Sequence, residues 1–265
     1  MNTLKYYLRI YFLIISQYIK ARMQYRLDFW VSSIALLMAN AGVVFTFWVL
    51  FNSITKVEGW SFDQIVFIYS FCVLATNPMD VLFNNLWDLG FHIRQGNFIK
   101  YYFRPLNILF YYISEMFDIK GLSNLAFGVT AFIYSSIRLG IEWNFLKICL
   151  LLFVIIGSSF VMISLMLMAA SIGFWTISSH SIISFTSRFR EFARYPVTIF
   201  KGFFRFLFTY IIPVAFIAYY PSQIFLKPDN FILVAYLSPV VGVAFFVIAY
   251  TVWNKGVNSY SGTGS

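Results

Sequence analysis

Charged residues are scarce in this sequence of 265 residues. They make up 11% of the chain, whereas 60% of the residues are hydrophobic and 22% are aromatic. Soluble domains carry about 25% charged residues, and disordered chains are rich in charge and poor in aromatics, so both classes are excluded. The mean hydropathy of +0.77 agrees. The composition is therefore that of an integral membrane protein with no large part left to fold in water.

Cysteine and histidine are equally rare, with two of each. Cys72 and Cys149 lie in apolar runs, where a thiol usually behaves as a small hydrophobe. His92 and His180 have no Cys, Asp or Glu at zinc-ligand spacing, and the serines next to His180 have no acidic residue to complete a hydrolytic triad. We therefore expect no metal site, no disulfide and no hydrolase.

A built-in energy source is missing as well. The sequence contains no GxxxxGK[ST] phosphate loop, so this chain is expected not to be an enzyme that hydrolyses ATP alone. Ion-coupled carriers place ionisable side chains near the bilayer midplane, but Asp80, Glu115 and Asp118 fall near the inner ends of predicted spans. The Pro78 in "ATNPMD" indicates a kink more readily than the discontinuous helix of a carrier, because no second break matches it.

Long apolar runs are abundant, and a membrane-spanning helix needs about 20 such residues. The sequence predicts an all-α, polytopic fold with one transmembrane domain over residues 1–265. We expect six spans and a cytoplasmic loop at residues 84–107, between spans two and three. The spans are predicted at residues 30–51, 64–83, 108–137, 145–175, 199–219 and 231–253.

Lys and Arg residues orient these spans. With six spans, fifteen of the 19 Lys and Arg residues fall on one side and four on the other. Positively charged loops remain in the cytoplasm, so both termini are expected there. The net charge of +9 is scattered over short loops, which argues for membrane orientation and against a nucleic-acid partner.

Residues 1–26 have the pattern of a helix that lies flat on the membrane. At 100° per residue, Lys5, Arg9 and Lys20 fall in one stripe, with aliphatic and aromatic residues opposite. The stripe is predicted to meet anionic lipid headgroups of the inner leaflet. Charge interrupts the apolar stretch and no small-residue cleavage site follows, which argues against a cleavable signal peptide.

Four stretches carry a resemblance to a known family. They are "IRQGNFIKYYFRPLN" (93–107), "FREFARYPVTIF" (189–200), "YIIPVAFIAYYPSQIFL" (210–226) and the tail "WNKGVNSYSGTGS" (253–265). Together they resemble the ABC-2-type permease subunits of an uncharacterised bacterial ABC transport system. The resemblance covers essentially the whole chain. It implies six spans after an interfacial helix, and an exporter containing two permease subunits, either two copies of this chain or this chain and a related one.

The same resemblance implies that other subunits supply the energy for transport. Two separate ABC ATPase subunits, which would hold ATP and Mg, are expected to bind on the cytoplasmic side. In ABC-2-like permeases the first cytoplasmic loop carries a short helix that docks into the ATPase. The residues predicted to serve that docking are Arg94, Gly96, Phe98, Ile99, Lys100, Tyr101, Tyr102 and Arg104.

The roles of these residues follow from their chemistry. The cations could pair with acidic groups of the ATPase, while the aromatic side chains and Ile99 resemble the anchors of interface hot spots, and Gly96 would permit a bend. The alternative is that the cations only enforce topology. A second predicted cytoplasmic cluster, for contact with the ATPase or anionic lipid, is Arg188, Arg190, Glu191 and Arg194.

The function that these observations favour is ATP-driven alternating access of an unidentified substrate, which could be a lipid-like compound, a drug, a peptide or a glycan. Two rivals remain at this point. One is a channel or facilitator that works without ATP, and the other is a membrane scaffold that transports nothing. Co-purification of an ATPase would separate the first reading from both rivals.

Overall fold

The structure is a computed structural model that describes residues 3–176, 179–227 and 233–260. It is all-α; within the described residues no strand forms. The tail residues 261–265 and the start of the predicted sixth span, residues 231–232, lie outside this part. The α-helices are α1 (Thr3–Arg22), α2 (Arg26–Ser53), α3 (Phe62–Leu82), α4 (Leu89–Arg94), α5 (Ile108–Ser114), α6 (Gly121–Arg138), α7 (Phe145–Ser171), α8 (His180–Ser187), α9 (Phe189–Ala193), α10 (Phe203–Phe206), α11 (Tyr219–Leu226) and α12 (Ser238–Ser259).

Several helical segments are long and apolar enough to cross a membrane. Within the described residues there are four: Leu27–Ser53, Phe62–Leu82, Phe145–Phe174 and Leu233–Ser259. The bent pair Phe203–Ile211 and Val214–Leu226 would make a fifth only if its two arms formed one span. The fold class predicted from the sequence, an all-α polytopic membrane protein, is confirmed. The count of six spans stays a prediction.

Helix α3 forms the centre of the molecule. It begins at a capping box in which the Ser61 hydroxyl accepts from the Gln64 backbone and the Gln64 side chain accepts from the Ser61 backbone. Such a reciprocal cap satisfies two of the backbone donors left free at a helix start. Pro78 lies inside α3, which continues to Leu82, so it does not make the helix discontinuous.

Helix α6 runs antiparallel to α3 along its whole length. The Asn77 side chain donates to the Gly121 carbonyl at 2.7 Å, and the Arg138 guanidinium lies 3.9 Å from the Asp63 carboxylate at the other end. The predicted third span, 108–137, was expected to be one continuous helix, and this is wrong. Helix α5 ends at Ser114, and the Asp118 side chain turns the chain by accepting from the Lys120 backbone at 3.0 Å before α6 begins.

We name the two ends of this bundle by their loops. The 84–107 end holds the C-terminus of α3, the start of α6 and residues 84–107. The Trp60 end holds the N-terminus of α3 and the loop around Trp60. The sequence predicts the 84–107 end to be cytoplasmic.

The segment at residues 179–201 crosses from one end to the other beside α3. Arg190 pairs with Asp80 near the C-terminus of α3, at 2.7 and 2.8 Å. Four residues later Arg194 lies over the Tyr69 ring, 5.7 Å from its centroid. The Trp60 indole then donates to the Thr198 hydroxyl at 3.0 Å. This segment, made of α8, α9 and the 3-10 turn Val197–Ile199, therefore takes the path that residues 199–219 were expected to take.

Residues 199–219, the predicted fifth span, do not form one continuous helix. The predicted span was expected to start at the 84–107 end. Lys201, near its first residue, instead lies at the Trp60 end, 3.9 Å from Glu58. The chain then forms a hairpin: Phe203–Ile211 enters, Ile212 and Pro213 break the helix, and Val214–Leu226 returns at 64°. Proline lacks the backbone donor that a continuous helix would need here.

The tip of this hairpin reaches α7 well inside the bundle. The Ser158 hydroxyl donates to the Phe216 carbonyl at 3.0 Å, about halfway along α7. At its other end the hairpin lies against the Trp60 end, where the Lys227 ammonium is 5.1 Å from the centre of the Trp60 ring. Residues 203–226 therefore enter and leave the bundle at the same end.

Helices α7 and α12 pack through small residues. A Cβ at Gly242 would collide with the Gly157 carbonyl oxygen, and a Cβ at Gly157 would lie 2.7 Å from the Pro239 nitrogen. Small residues let helix backbones approach closely, which is the main route to tight packing where no hydrophobic effect acts between helices.

Replacement of Gly242 by alanine tests this contact. Because the obstructing atom is a backbone oxygen that a rotamer change cannot move, we expect Gly242→Ala to destabilise the fold by about 1–3 kcal/mol. The measurement is unfolding of the detergent-solubilised protein. Gly42→Ala in α2 is the matched control, since a Cβ there meets nothing within 4 Å. Equal stability of the two variants would contradict the close approach of α7 and α12.

Candidate functional site

Residues 84–107 form a compact cap on the bundle. The 3-10 turn Asn84–Asp88 leads into α4, and a second 3-10 turn follows at Asn97–Tyr101. Gly96, between α4 and that second turn, has a φ of +68°, a left-handed conformation that L side chains rarely adopt. The bend predicted at Gly96 is therefore present. The Asn107 side chain then caps α5 by accepting from the Phe110 backbone at 3.1 Å.

Two residues predicted to contact the ATPase lie inside the protein instead. Phe98 and Tyr101 are both 0% exposed. The Phe98 ring packs 5.1 Å from Phe174 at the end of α7 and 6.1 Å from Trp253 in α12. Their prediction as contact residues is therefore corrected. The sequence places these aromatic residues in a polar loop, which suggested surface anchors. In the structure the apolar ends of α7 and α12 cover them.

The exposed surface of this cap is small and mixed. Arg94, Ile99 and Arg104 are exposed, and Phe103 presents 78% of its surface. Phe103 was missed by the sequence reasoning, although it adjoins the residues that were named. We call Arg94, Ile99, Phe103 and Arg104 the docking patch. It combines two cations, for which no ion pair forms in the described part of the chain, with two apolar side chains.

The remaining predicted residues are held by the protein itself. Lys100 pairs with Glu115 at 2.8 Å, and the Tyr101 hydroxyl donates to the same carboxylate at 2.5 Å. Burial, followed by this negative partner, raises the pKa of Tyr101 well above its ordinary value. Tyr102 donates to the Val257 carbonyl of α12 at 2.6 Å. These contacts attach the cap to α5 and α12. None of them involves a residue of the docking patch.

The second predicted cluster does not stay together. Arg188 and Glu191 are exposed, whereas Arg190 and Arg194 turn toward α3. Asp80 holds Arg190 through two hydrogen bonds, and Arg194 lies on Tyr69. The expectation that all four residues form one cytoplasmic surface is therefore wrong for Arg190 and Arg194, because an internal carboxylate and an aromatic face compensate their charges.

The predicted membrane-surface residues Lys5, Arg9 and Lys20 are all exposed along α1. The opposite side of α1 packs on α5, where the Tyr7 and Phe110 rings are 4.8 Å apart. No ion pair to these three cations forms among the described residues, and their contact with lipid stays a prediction.

The fold and this site define a class of protein: a multi-pass helical membrane protein without a nucleotide-binding loop, whose cap presents a cationic and apolar patch. Residues 37–264 match the model of a family described as ABC-2 family transporter protein. The chain belongs to this family. No curated protein and no solved structure matches the chain. The resemblance to ABC-2-type permeases drawn from the sequence is thereby confirmed.

Proposed function

We propose that this chain is the permease subunit of an ATP-driven exporter in a bacterial plasma membrane. It would work by alternating access with two ABC ATPase subunits, which bind ATP and Mg, and with a second permease subunit. The observation that carries the proposal is the docking patch in a chain of this family that has no phosphate loop of its own. Both termini and the 84–107 end would then face the cytoplasm.

The composition of the docking patch suits a protein partner. Arginine forms planar, bidentate pairs with carboxylates and is enriched, with aromatic residues, among interface hot spots. Phe103 stands between these cations in the sequence order as a large apolar anchor. An acidic, partly apolar cleft on an ATPase is the surface that this patch would fit.

The packing behind the patch offers a route for movement. Phe98 is buried against Phe174 of α7 and Trp253 of α12, and Tyr102 is bonded to α12. Because a close-packed interior transmits strain, displacement of the cap would act directly on these two helices. Helices α7 and α12 are themselves tightly joined, so they would move together.

A carrier coupled to protons is less well supported. Asp80 was the carboxylate to examine for that role, and Arg190 neutralises it through a bidentate pair. Transport is accordingly expected to depend on ATP and not on a proton gradient.

Purification of the tagged full chain from the cells that produce it tests the proposal. We expect a polypeptide with a GxxxxGK[ST] loop to co-purify, the complex to hydrolyse ATP, and the chain stripped of that partner to hydrolyse none. Substrate flux through the chain alone without nucleotide would instead support a channel. A stable chain with neither partner nor flux would support a scaffold.

A further inference from the structure

We infer that the 84–107 end contains a binding site for one membrane phospholipid with a phosphate and a primary ammonium in its headgroup, as in phosphatidylethanolamine. The site is a cavity of about 500 Å³ where the end of α1, the start of α2 and residues 116–120 meet. It lies apart from the docking patch, and it does not depend on the proposed function.

The cavity adjoins the surface of α2 that faces outward. Leu27 is 82% exposed, and Trp30 and Val31 are also largely exposed, in a helix apolar enough to span the membrane. Such an apolar surface is covered by lipid in a bilayer. Since Trp30 also lines the cavity, a molecule entering from this side would have an acyl chain on α2 and its polar end inside.

Arg22 is a cation of the cavity wall that can bind a phosphate. The Arg22 guanidinium donates through Nε to the Tyr18 hydroxyl at 3.0 Å and lies 5.4 Å from the centre of its ring. No ion pair to Arg22 forms in the described part of the chain. The Tyr18 contact orients the planar guanidinium, and arginine recognises phosphate by paired hydrogen bonds from this plane.

The opposite charge is present in the same wall. Lys120 and Asp28 neutralise each other at 3.0 Å. Asp118 accepts hydrogen bonds from Asn84 and from the Lys120 backbone, but these are neutral donors and leave its negative charge unpaired by any described cation. Among the described side chains of the wall, Arg22 and Asp118 are therefore a cation and an anion that form no ion pair. A zwitterionic headgroup matches this charge pattern, whereas a purely anionic one would meet Asp118 unfavourably.

Size and polarity agree with a headgroup and the beginning of its acyl chains. Aromatic and apolar side chains make up most of the wall, among them Phe29, Trp30 and Phe117. Tryptophan and tyrosine are typical of the level where headgroups meet hydrocarbon, because their rings are apolar with a polar edge. A lipid held here would join α1 to α2 and to the turn before α6.

Native mass spectrometry of the full chain, with phosphatidylethanolamine, phosphatidylglycerol or phosphatidylcholine added at equal concentration, tests the site. We expect one phosphatidylethanolamine to be retained, and Arg22→Gln to weaken its retention by about tenfold, the effect of losing one charged hydrogen bond of 1.4 kcal/mol. Asp118→Asn, which keeps the oxygen that caps the Lys120 backbone, should abolish the preference over phosphatidylglycerol. Arg138→Gln at the Trp60 end is the control and should change nothing.

Several outcomes would overturn the inference. Equal retention of all three lipids, or preference for phosphatidylglycerol, would contradict the zwitterionic match. Unchanged retention in Arg22→Gln would place the lipid elsewhere. Glycerophosphoethanolamine, the soluble headgroup, serves as competitor: if it displaces the lipid at equal concentration, the ligand is a soluble phosphoester and the bilayer is not its source. A thermal unfolding scan of each variant without lipid verifies that the fold is retained.

Discussion

Simultaneous reversal of Arg94 and Arg104 to glutamate should abolish productive binding of the ATPase while leaving the permease folded. Both residues are exposed in the docking patch. Surface substitutions of this kind usually change stability by less than about 0.5 kcal/mol. Loss of one partner of a desolvated interfacial charge pair costs about 2–5 kcal/mol, and reversal adds repulsion, so affinity should fall by about a hundredfold or more. Pull-down of the ATPase measures the affinity, and substrate-stimulated ATP hydrolysis measures whether the binding is productive.

The control for this variant is a matched reversal at the other end, Lys56→Glu with Lys147→Glu. Full binding by the Arg94 and Arg104 double variant would mean that these cations only set topology. Phe103→Ala provides an independent arm, because it removes an exposed anchor without changing charge. Phe98→Ala does not serve this purpose. It would open a cavity among α7, α12 and the cap, at a cost of about 3–5 kcal/mol.

Breaking the pair between Asp80 and Arg190 should destabilise the fold more than any surface substitution. Removal of one partner of a buried ion pair costs about 3–5 kcal/mol. The Asp80 and Arg190 side chains are 26% and 22% exposed, so we expect the lower end, about 3 kcal/mol, for Asp80→Asn. Arginine cannot shed its proton, so that variant leaves a charge without a partner. The measurement is denaturant unfolding of the solubilised protein.

The ranking of the variants by loss of stability shows whether an unpaired charge is the cause. Arg190→Gln should also destabilise the fold, since it leaves the Asp80 carboxylate without its two hydrogen bonds from the guanidinium. The double variant Asp80→Asn with Arg190→Gln should be milder than Asp80→Asn alone, because neither charge remains. Lys201→Gln breaks the exposed pair with Glu58 and should cost less than about 1 kcal/mol. Equal effects of Asp80→Asn and Lys201→Gln would show that the Asp80 pair does not stabilise the fold.

Membership of a membrane transporter family could be recognised without any coordinates. Bilayers impose a length and polarity on each span, so the runs at 30–51, 64–83 and 145–175 identified α2, α3 and α7 directly. The absence of a phosphate loop is likewise a property of the sequence. Gly96 was predicted to allow a bend, because glycine adopts a positive φ without the steric cost that other residues incur.

The path of residues 179–226 was beyond such reasoning. Arg190 and Arg194 make their segment look like a polar loop, and only the tertiary structure supplies Asp80 and Tyr69, from distant positions of the sequence, to compensate these charges. The apolar run that follows looks like a span, but the break at Pro213 and the contact of Ser158 with Phe216 turn it back. A hydropathy value describes the preference of a residue for lipid or water. It does not include the effect of a partner within the protein.

For the docking patch, too, one part could be predicted from the sequence and another was decided by the tertiary structure. The composition of residues 93–107, rich in cations and aromatics, predicted a contact surface from the sequence by itself. Which side chains face outward was decided by packing: Phe98 and Tyr101 fill the space at the ends of α7 and α12, and Phe103 is left exposed. Residue type determines what a side chain could bind, whereas its neighbours in the fold determine whether it is free to bind, because burial of an aromatic ring is favourable wherever a matching cavity exists.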